Sequence, residues 1–433
     1  MARVVVVGGG FGGIASAARL AKRGHEVTLL ERSPDLGGAL GSVREEGFTW
    51  DAGPTSTLLP AVVRDLFRKT GRPLEQELEL TPLEVVREHR FEDDTVLHQP
   101  GGSRSAALRA FDALEPGLGE RWTDHVAGFT EDWEVLRRGY FEAPWDPASL
   151  PAEVAARLES RAMLHKRLRK DLKDERLRLV AAHPFVADGH DPRNVPAWAG
   201  LHAYLEQTFG VWTVPGGMAR LAEVLTSRLA TRGVTVLTGT TATDLVLREG
   251  RVAAVRTTTG DHAAEVVVCA VDPRGLPALA PYVVRTMPAI PPVVAHLGLE
   301  GVDPDLPAEI VVHGDPLLVV RTGGSAPEGH SAWTVHGRGR IAEDLLRALA
   351  RVDLDVRHRL VHRVDRSPRE LVSAWAGSPL GVLWQGRRTV RRRLGPHTPV
   401  PGVYAAGAHA TPGSGLAFVG LSAALVSEAV GPA

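Results

Sequence analysis

The sequence predicts an α/β protein built on a parallel sheet, and three observations carry that prediction. The chain opens on a run of valines from Arg3 to Val7, the pattern of a strand buried on both faces. Glycines follow at once at Gly8, Gly10 and Gly13, in the order G-x-G-x-x-G. A second unit of strand, glycine-rich turn and helix closes the chain, from Val403 to about Ala429.

Each part of the opening unit has a physical job. Gly8 allows a tight turn, Gly10 lets a pyrophosphate approach the backbone, and Gly13 lets the following helix lie close on the strand. That helix runs from about Gly12 to Arg23, with Ile14, Ala17, Ala18 and Ala21 on the sheet side and Gly24 ending it. Its unpaired N–H groups and positive dipole end favour phosphates. The next strand, Glu26 to Leu30, ends in Glu31, placed to accept from a ribose hydroxyl. Strand, glycines, helix and acid together predict a Rossmann-type dinucleotide-binding domain. The pair Gly37-Gly38 predicts another close-approach loop beside the nucleotide, and Phe48 to Thr55 reads as a strand end running into a glycine-proline turn.

From Ala61 to Leu150 the signals are mixed, with helical patches at Val62 to Lys69 and Trp122 to Arg138. Pro151 to Val180 reads as one or two charged helices, and Pro215 to Met218 as a turn opening an amphipathic helix that ends near Arg232. A β-rich part follows, with strands at Val234 to Leu237, Ala242 to Arg248, Val252 to Thr258 and Val266 to Val271. Further strands are expected at Val293 to Leu299, Ile310 to Val312, Leu317 to Val320 and Ala332 to His336, with a helix near Ile341 to Val352. Because both terminal units belong in one sheet, the nucleotide domain is expected to be discontinuous. It comprises residues 1–70, 211–275 and 390–433, with an inserted mixed α+β substrate domain from 71–210 and 276–389.

Composition narrows the function. The 50 Lys and Arg balance 51 Asp and Glu, which argues against a nucleic-acid partner. The single cysteine, Cys269, excludes an internal disulfide and sits in an apolar run, as a buried strand thiol would. No apolar run reaches the roughly 18 residues that span a bilayer. The first residues form a strand and not a signal segment, so a cytoplasmic protein is expected.

These motifs, in this order, resemble the phytoene desaturase family within the flavin amine-oxidase-like superfamily. The likeness lies in Val4 to Pro60, in Gly210-Val211-Trp212 followed by Pro215-Gly216-Gly217, and in Pro401 to Ala424. The resemblance implies non-covalent FAD. Gly8, Gly10, Phe11 and Gly13 would line its pyrophosphate, and Glu31 and Arg32 would hold the adenosine ribose. Gly37, Gly38 and Ala39 would lie along the phosphate and ribityl chain, Pro54 and Thr55 would approach the isoalloxazine, and Ala242 would touch the adenine. Gly407, Ala408, Gly415, Leu416 and Ala417 would pack at the ribityl and pyrimidine side. A helix starting near Gly415 would turn its positive end toward a reduced, negatively charged flavin. The chain has Ala39 where the family usually has arginine, and Thr411 where it commonly has histidine, with His409 two residues earlier.

The resemblance implies a dehydrogenase that makes C=C bonds in a hydrophobic isoprenoid or natural-product substrate, passing hydride to flavin N5. Two other readings stay open: an oxygen-using oxidase of an amine or natural-product intermediate, and a non-enzymatic prenyl-protein escort. Only one complete dinucleotide signature occurs, so electrons would leave to oxygen, a quinone or a protein acceptor. His409 is the one candidate catalytic side chain, against its reading as a loop histidine. The basic stretch Arg161 to Arg178 would suit peripheral contact with an anionic membrane, although Asp171, Asp174 and Glu175 favour a solvated surface helix. Arg387, Arg388 and Arg391 to Arg393 read as a surface strand edge or as a site for an acidic group. The histidines His183 and His190 do not make a metal site, and Trp198, Trp212, Trp333, Trp375 and Trp384 read as core or as the lining of an apolar tunnel.

Overall fold

The structure is a computed structural model that describes residues 1–144, 146, 148–303 and 305–433. Its centre is a five-stranded parallel sheet in the order Val403–Ala405, Val266–Cys269, Arg3–Val7, Glu26–Leu30, Thr235–Leu237. The opening valines alternate between two cores. Val4 and Val6 meet the helices Phe11–Lys22, Ala219–Thr231 and Leu416–Val430, while Val5 and Val7 meet Leu245, Val255 and Val267 on the other face. Cover on both faces is why this strand can be uniformly apolar. The second cover is a three-stranded antiparallel sheet, Ala242–Arg248, Arg251–Thr257 and Gly260–Ala263.

A helical layer packs on its own core of Phe111, Trp122, Phe129, Tyr140, Leu164 and Leu205. Here the structure departs from the sequence reading. The basic stretch is two helices, Leu164–Asp171 and Glu175–Ala187, because Leu172 turns extended and the Asp174 carboxylate caps the second by accepting from Leu177 N–H. Ala152–Leu158 is a third helix in that region. The helix expected from Ile341 to Val352 is shorter, Leu345–Ala350, started by the Asp344 cap.

A seven-stranded sheet completes the molecule in the order Leu360–Arg366, Val293–Glu300, His330–Arg338, Leu317–Gly324, Glu309–Val312, Val85–Arg90, Val96–Pro100. Leu360–Arg366 and Val85–Arg90 carry charges and Val96–Pro100 carries His98 and Gln99, so no apolar run announced these strands. One face buries Ala295, Leu297, Ile310, Val320, Trp333 and Val335 against Leu345, Leu346 and Leu349. On the other face the pairing register sets Gln99 opposite Arg87, Glu309 opposite Arg321, Arg321 opposite Thr334, and Thr334 opposite His296.

Candidate functional site

Between the parallel sheet and the polar face of the seven-stranded sheet lies a cavity of about 680 Å³. That volume falls within the ordinary range for ligand cavities. Its lower wall comes from the two terminal glycine turns, and its roof from the charged strand row.

Seventeen of the sequence-selected residues, His409 among them, line this cavity: Gly8, Gly10, Phe11, Glu31, Arg32, Gly37, Gly38, Ala39, Pro54, Thr55, Ala242, Gly407, Ala408, His409, Gly415, Leu416 and Ala417. Gly13 does not. A Cβ there would stand 1.8 Å from the Gly8 carbonyl oxygen, so its role is the close packing of helix on strand. Gly10 differs, since a Cβ on it would meet no atom within 4 Å. The helix Phe11–Lys22 has no side-chain cap at Gly10, which leaves its first N–H groups for a ligand.

Glu31 holds the crevice in shape. Its two oxygens accept the Gly9 and Ser33 N–H groups, each at 2.7 Å. Gly37 donates its N–H to the Gly9 carbonyl at 2.8 Å, so the second glycine loop is laced to the first. Arg32 points away from this acid and donates to the Ser373 and Ala374 carbonyls. From the other chain end, a Cβ on Gly12 would stand 2.9 Å from Gly407 Cα, so the two glycine turns touch. Gly415, at φ +97°, opens the helix Leu416–Val430, again without a side-chain cap. His409 is buried; its Nε2 donates to the Ser378 carbonyl at 2.9 Å and its Nδ1 lies 3.8 Å from Asp272. Burial lowers its proton affinity. The sequence reading missed Asp51, whose carboxylate accepts the Met218 and Ala219 N–H groups at 3.0 and 2.9 Å and caps the helix Ala219–Thr231.

The roof was also missed. Arg87 pairs with Glu206 at 2.8 Å and Glu309 at 2.9 Å, and Arg321 reaches Glu309 at 3.2 Å and the Gly53 carbonyl at 2.8 Å. Burial opposes the charge of Glu309, yet His183, Arg87 and Arg321 hold it well below the usual carboxylate range. Asp188, His190, His202, His336 and Arg338 line the same space. Burial pushes His190 down to about 3, helped by Arg393 and Arg338, and pushes His336 well down.

Arg393 corrects the surface reading of its cluster. Residues Arg388–Arg392 form a short helix and not a strand edge. Arg393 itself is buried, lies 4.5 Å from the Trp384 ring centre, and donates to the Pro412 and Val382 carbonyls. Trp198, Trp375 and Trp384 line the cavity, whereas Trp333 belongs to the sheet core and Trp212 packs beside Arg64. Cys269 is buried in its strand, and burial pushes its thiol up to about 12. Among the described residues no group of three or more His, Cys, Asp or Glu side chains is arranged to hold a metal. None of the described helices is long and apolar enough to cross a membrane.

Comparison with known proteins places this geometry. The model of the flavin-containing amine oxidoreductase family matches residues 11–430. A 4,4'-diapophytoene desaturase (4,4'-diaponeurosporene-forming) of Staphylococcus aureus is 27% identical over 239 residues, 54% of this chain and 47% of that protein. The aligned part therefore spans about half the length of the curated relatives it matches. Among solved structures, a putrescine oxidase bound to putrescine superposes with a TM-score of 0.70 at 15% identity, covering 99% of this chain and 98% of the other. An oxidoreductase from Methanosarcina mazei superposes with a TM-score of 0.66 at 17% identity, covering 98% and 100%.

Proposed function

This chain belongs to the flavin-containing amine oxidoreductase family and is an FAD-dependent oxidoreductase, and on that premise we propose that it is a desaturase-like dehydrogenase acting on a molecule with an apolar skeleton. The observation that carries the proposal is one cavity combining a dinucleotide cradle with a wall of Leu58, Phe141, Phe185, Trp198, Trp384 and Phe418. The sequence similarity to a carotenoid-type desaturase supports it.

The residues suit FAD. Gly10 leaves open backbone for a pyrophosphate, two uncapped helix starts face the cavity, and Glu31 retains free lone pairs for a ribose hydroxyl. In this proposal Gly8, Gly10, Phe11, Glu31, Arg32, Gly37, Gly38, Ala39 and Ala242 hold the adenosine and pyrophosphate side. Pro54, Thr55, Gly407, Ala408 and Gly415 to Ala417 hold the ring side. Residues 1–70, 211–275 and 390–433 make the FAD-binding domain, and 71–210 with 276–389 the substrate domain. When bound, the flavin supplies hydride acceptance. The aromatic wall excludes water and positions the substrate carbon, and the uncapped N-terminus at Leu416 stabilises negative charge on the ring side. Oxygen or a quinone would serve as the electron acceptor.

A specific observation favours a second reading, an oxygen-using oxidase of a more polar substrate: the roof is charged. Anaerobic mixing of the flavin-loaded protein with polyprenes and with amines separates the two. Bleaching of the flavin band by a polyprene, with a new conjugated product, is the expected result. Bleaching by amines alone, with peroxide formed on admitting air, would overturn the desaturase reading.

A further inference from the structure

Of the carboxylates lining the cavity, one stands apart. Glu31 is occupied by two backbone N–H groups, Glu206 and Glu309 by Arg87, and Asp272 by Arg274 at 2.8 Å. Asp188 lines the cavity with no hydrogen-bond or ion-pair partner for its side chain among the described residues. It follows directly on the helix Glu175–Ala187, whose last residues Val186 and Ala187 pack on Val311, Leu317 and Val319 of the roof. Arg338 fixes that turn by donating from Nε to the Ala187 carbonyl at 2.8 Å and from Nη1 to the Ile290 carbonyl at 2.9 Å. The acid is thus presented rigidly and not on a mobile loop.

Asp188 is half-buried and opens onto the cavity, and a carboxylate placed there without a protein donor marks a position where a ligand can supply one. Burial pushes Asp188 up to about 6, against the pull of Arg338 and Arg321, so near neutral pH it is mostly ionised and accepts only. Those two guanidiniums act on the same carboxylate. They disfavour a second cation beside it, while a neutral O–H donor meets no such repulsion.

We propose that Asp188 anchors the substrate by accepting a hydrogen bond from a hydroxyl group, so a neutral, hydroxyl-bearing polyprene is preferred over its pure hydrocarbon or amine counterpart. The proposal rests on the reading of this cavity as the reaction site. The apolar wall and the single acceptor then divide the work: Trp198, Trp384 and Phe141 take the skeleton, and Asp188 sets which end enters.

The test uses the flavin-loaded protein and four matched ligands: geraniol, geranyl methyl ether, geranylamine and the corresponding dimethyloctadiene. Binding is read from the flavin absorption change and from thermal shift. Geraniol is expected to bind at least about tenfold tighter than the ether and the hydrocarbon, and tighter than the amine. In Asp188→Ala the four should fall within about twofold of one another. Asp188→Asn, which keeps the shape and a neutral acceptor, should show an intermediate preference and serves if the alanine variant fails to fold. The inference is overturned if hydrocarbon or ether binds as tightly as geraniol, if the amine binds tightest, if the preference survives in Asp188→Ala, or if geraniol shows no saturable binding at millimolar concentration. Protein that retains no flavin counts against the proposed function instead, so the two failures are distinguishable.

Discussion

Two glycines three residues apart should fail in opposite ways. A methyl group on Gly13 would sit 1.8 Å from the Gly8 carbonyl oxygen, where contacts under 3.0 Å essentially do not occur. The helix Phe11–Lys22 must therefore retreat from the opening strand by roughly an ångström. That helix carries Ile14, Ala17 and Ala18 into a core with no free surface, so the movement is felt along its whole buried side. Overpacking of this kind costs about 1–3 kcal/mol. Gly10 has φ −72° and ψ 177°, a conformation any residue adopts, with open space where its Cβ would be. Gly10→Ala should leave the flavin-free protein within about 0.5 kcal/mol of the parent. Its methyl would occupy the path by which a pyrophosphate reaches the backbone, and FAD affinity should fall by about tenfold or more. Gly13→Ala should lower both. Thermal melting of the deflavinated proteins and fluorescence titration with FAD read the two effects separately. A Gly13→Ala protein as stable as the parent, or a Gly10→Ala protein that loads FAD as the parent does, would refute the assignment of packing to one glycine and ligand approach to the other.

Glu31→Ala removes the acceptor for two backbone N–H groups and should destabilise the flavin-free protein by about 2–4 kcal/mol, with Glu31→Gln intermediate, measured by calorimetry. Acid should weaken the fold early. His190 and His313 are pushed down to about 3 and His296 to about 4, chiefly by burial, so the unfolded chain binds more protons once the pH drops below about 6.5. Stability should then fall by about 1.4 kcal/mol per pH unit for each such histidine. Denaturant midpoints that stay flat from pH 7 to pH 5 would contradict their neutral burial. Cys269, with its thiol pushed up to about 12 by burial, should resist iodoacetamide in the native protein and react fully in denaturant, as mass spectrometry can show.

The lower half of the site was legible because its chemistry is local. Gly8, Gly10, Gly13 and Glu31 act through spacing within one short stretch, and the closing turn repeats that logic. The roof was not legible because its order is made across strands. Arg87 is 222 residues from Glu309, whose own partner Arg321 lies on the next strand, and each looks like an ordinary surface charge until pairing sets them in one row. Arg393 was misread for a related reason: its neighbours Arg388 and Arg391 are exposed, and only the fold takes this one beside Trp384. Asp188 and His190 carried a weak local signal, two titratable residues just after the helix Glu175–Ala187, but nothing in their spacing said that they face a cavity.

The parallel sheet has a consequence for how the protein is made. Its central strand leaves the ribosome about 400 residues ahead of its edge strand Val403–Ala405 and the covering helix Leu416–Val430. At about 5–20 residues per second, roughly 20–80 s of translation separate the two. Through that interval the apolar side of the first helix, including Ile14 and Ala18, lacks its permanent neighbours Ala423 and Val426. The nascent chain is therefore a natural client for a holding chaperone, and capture of the dinucleotide waits for the closing strand and helix to emerge.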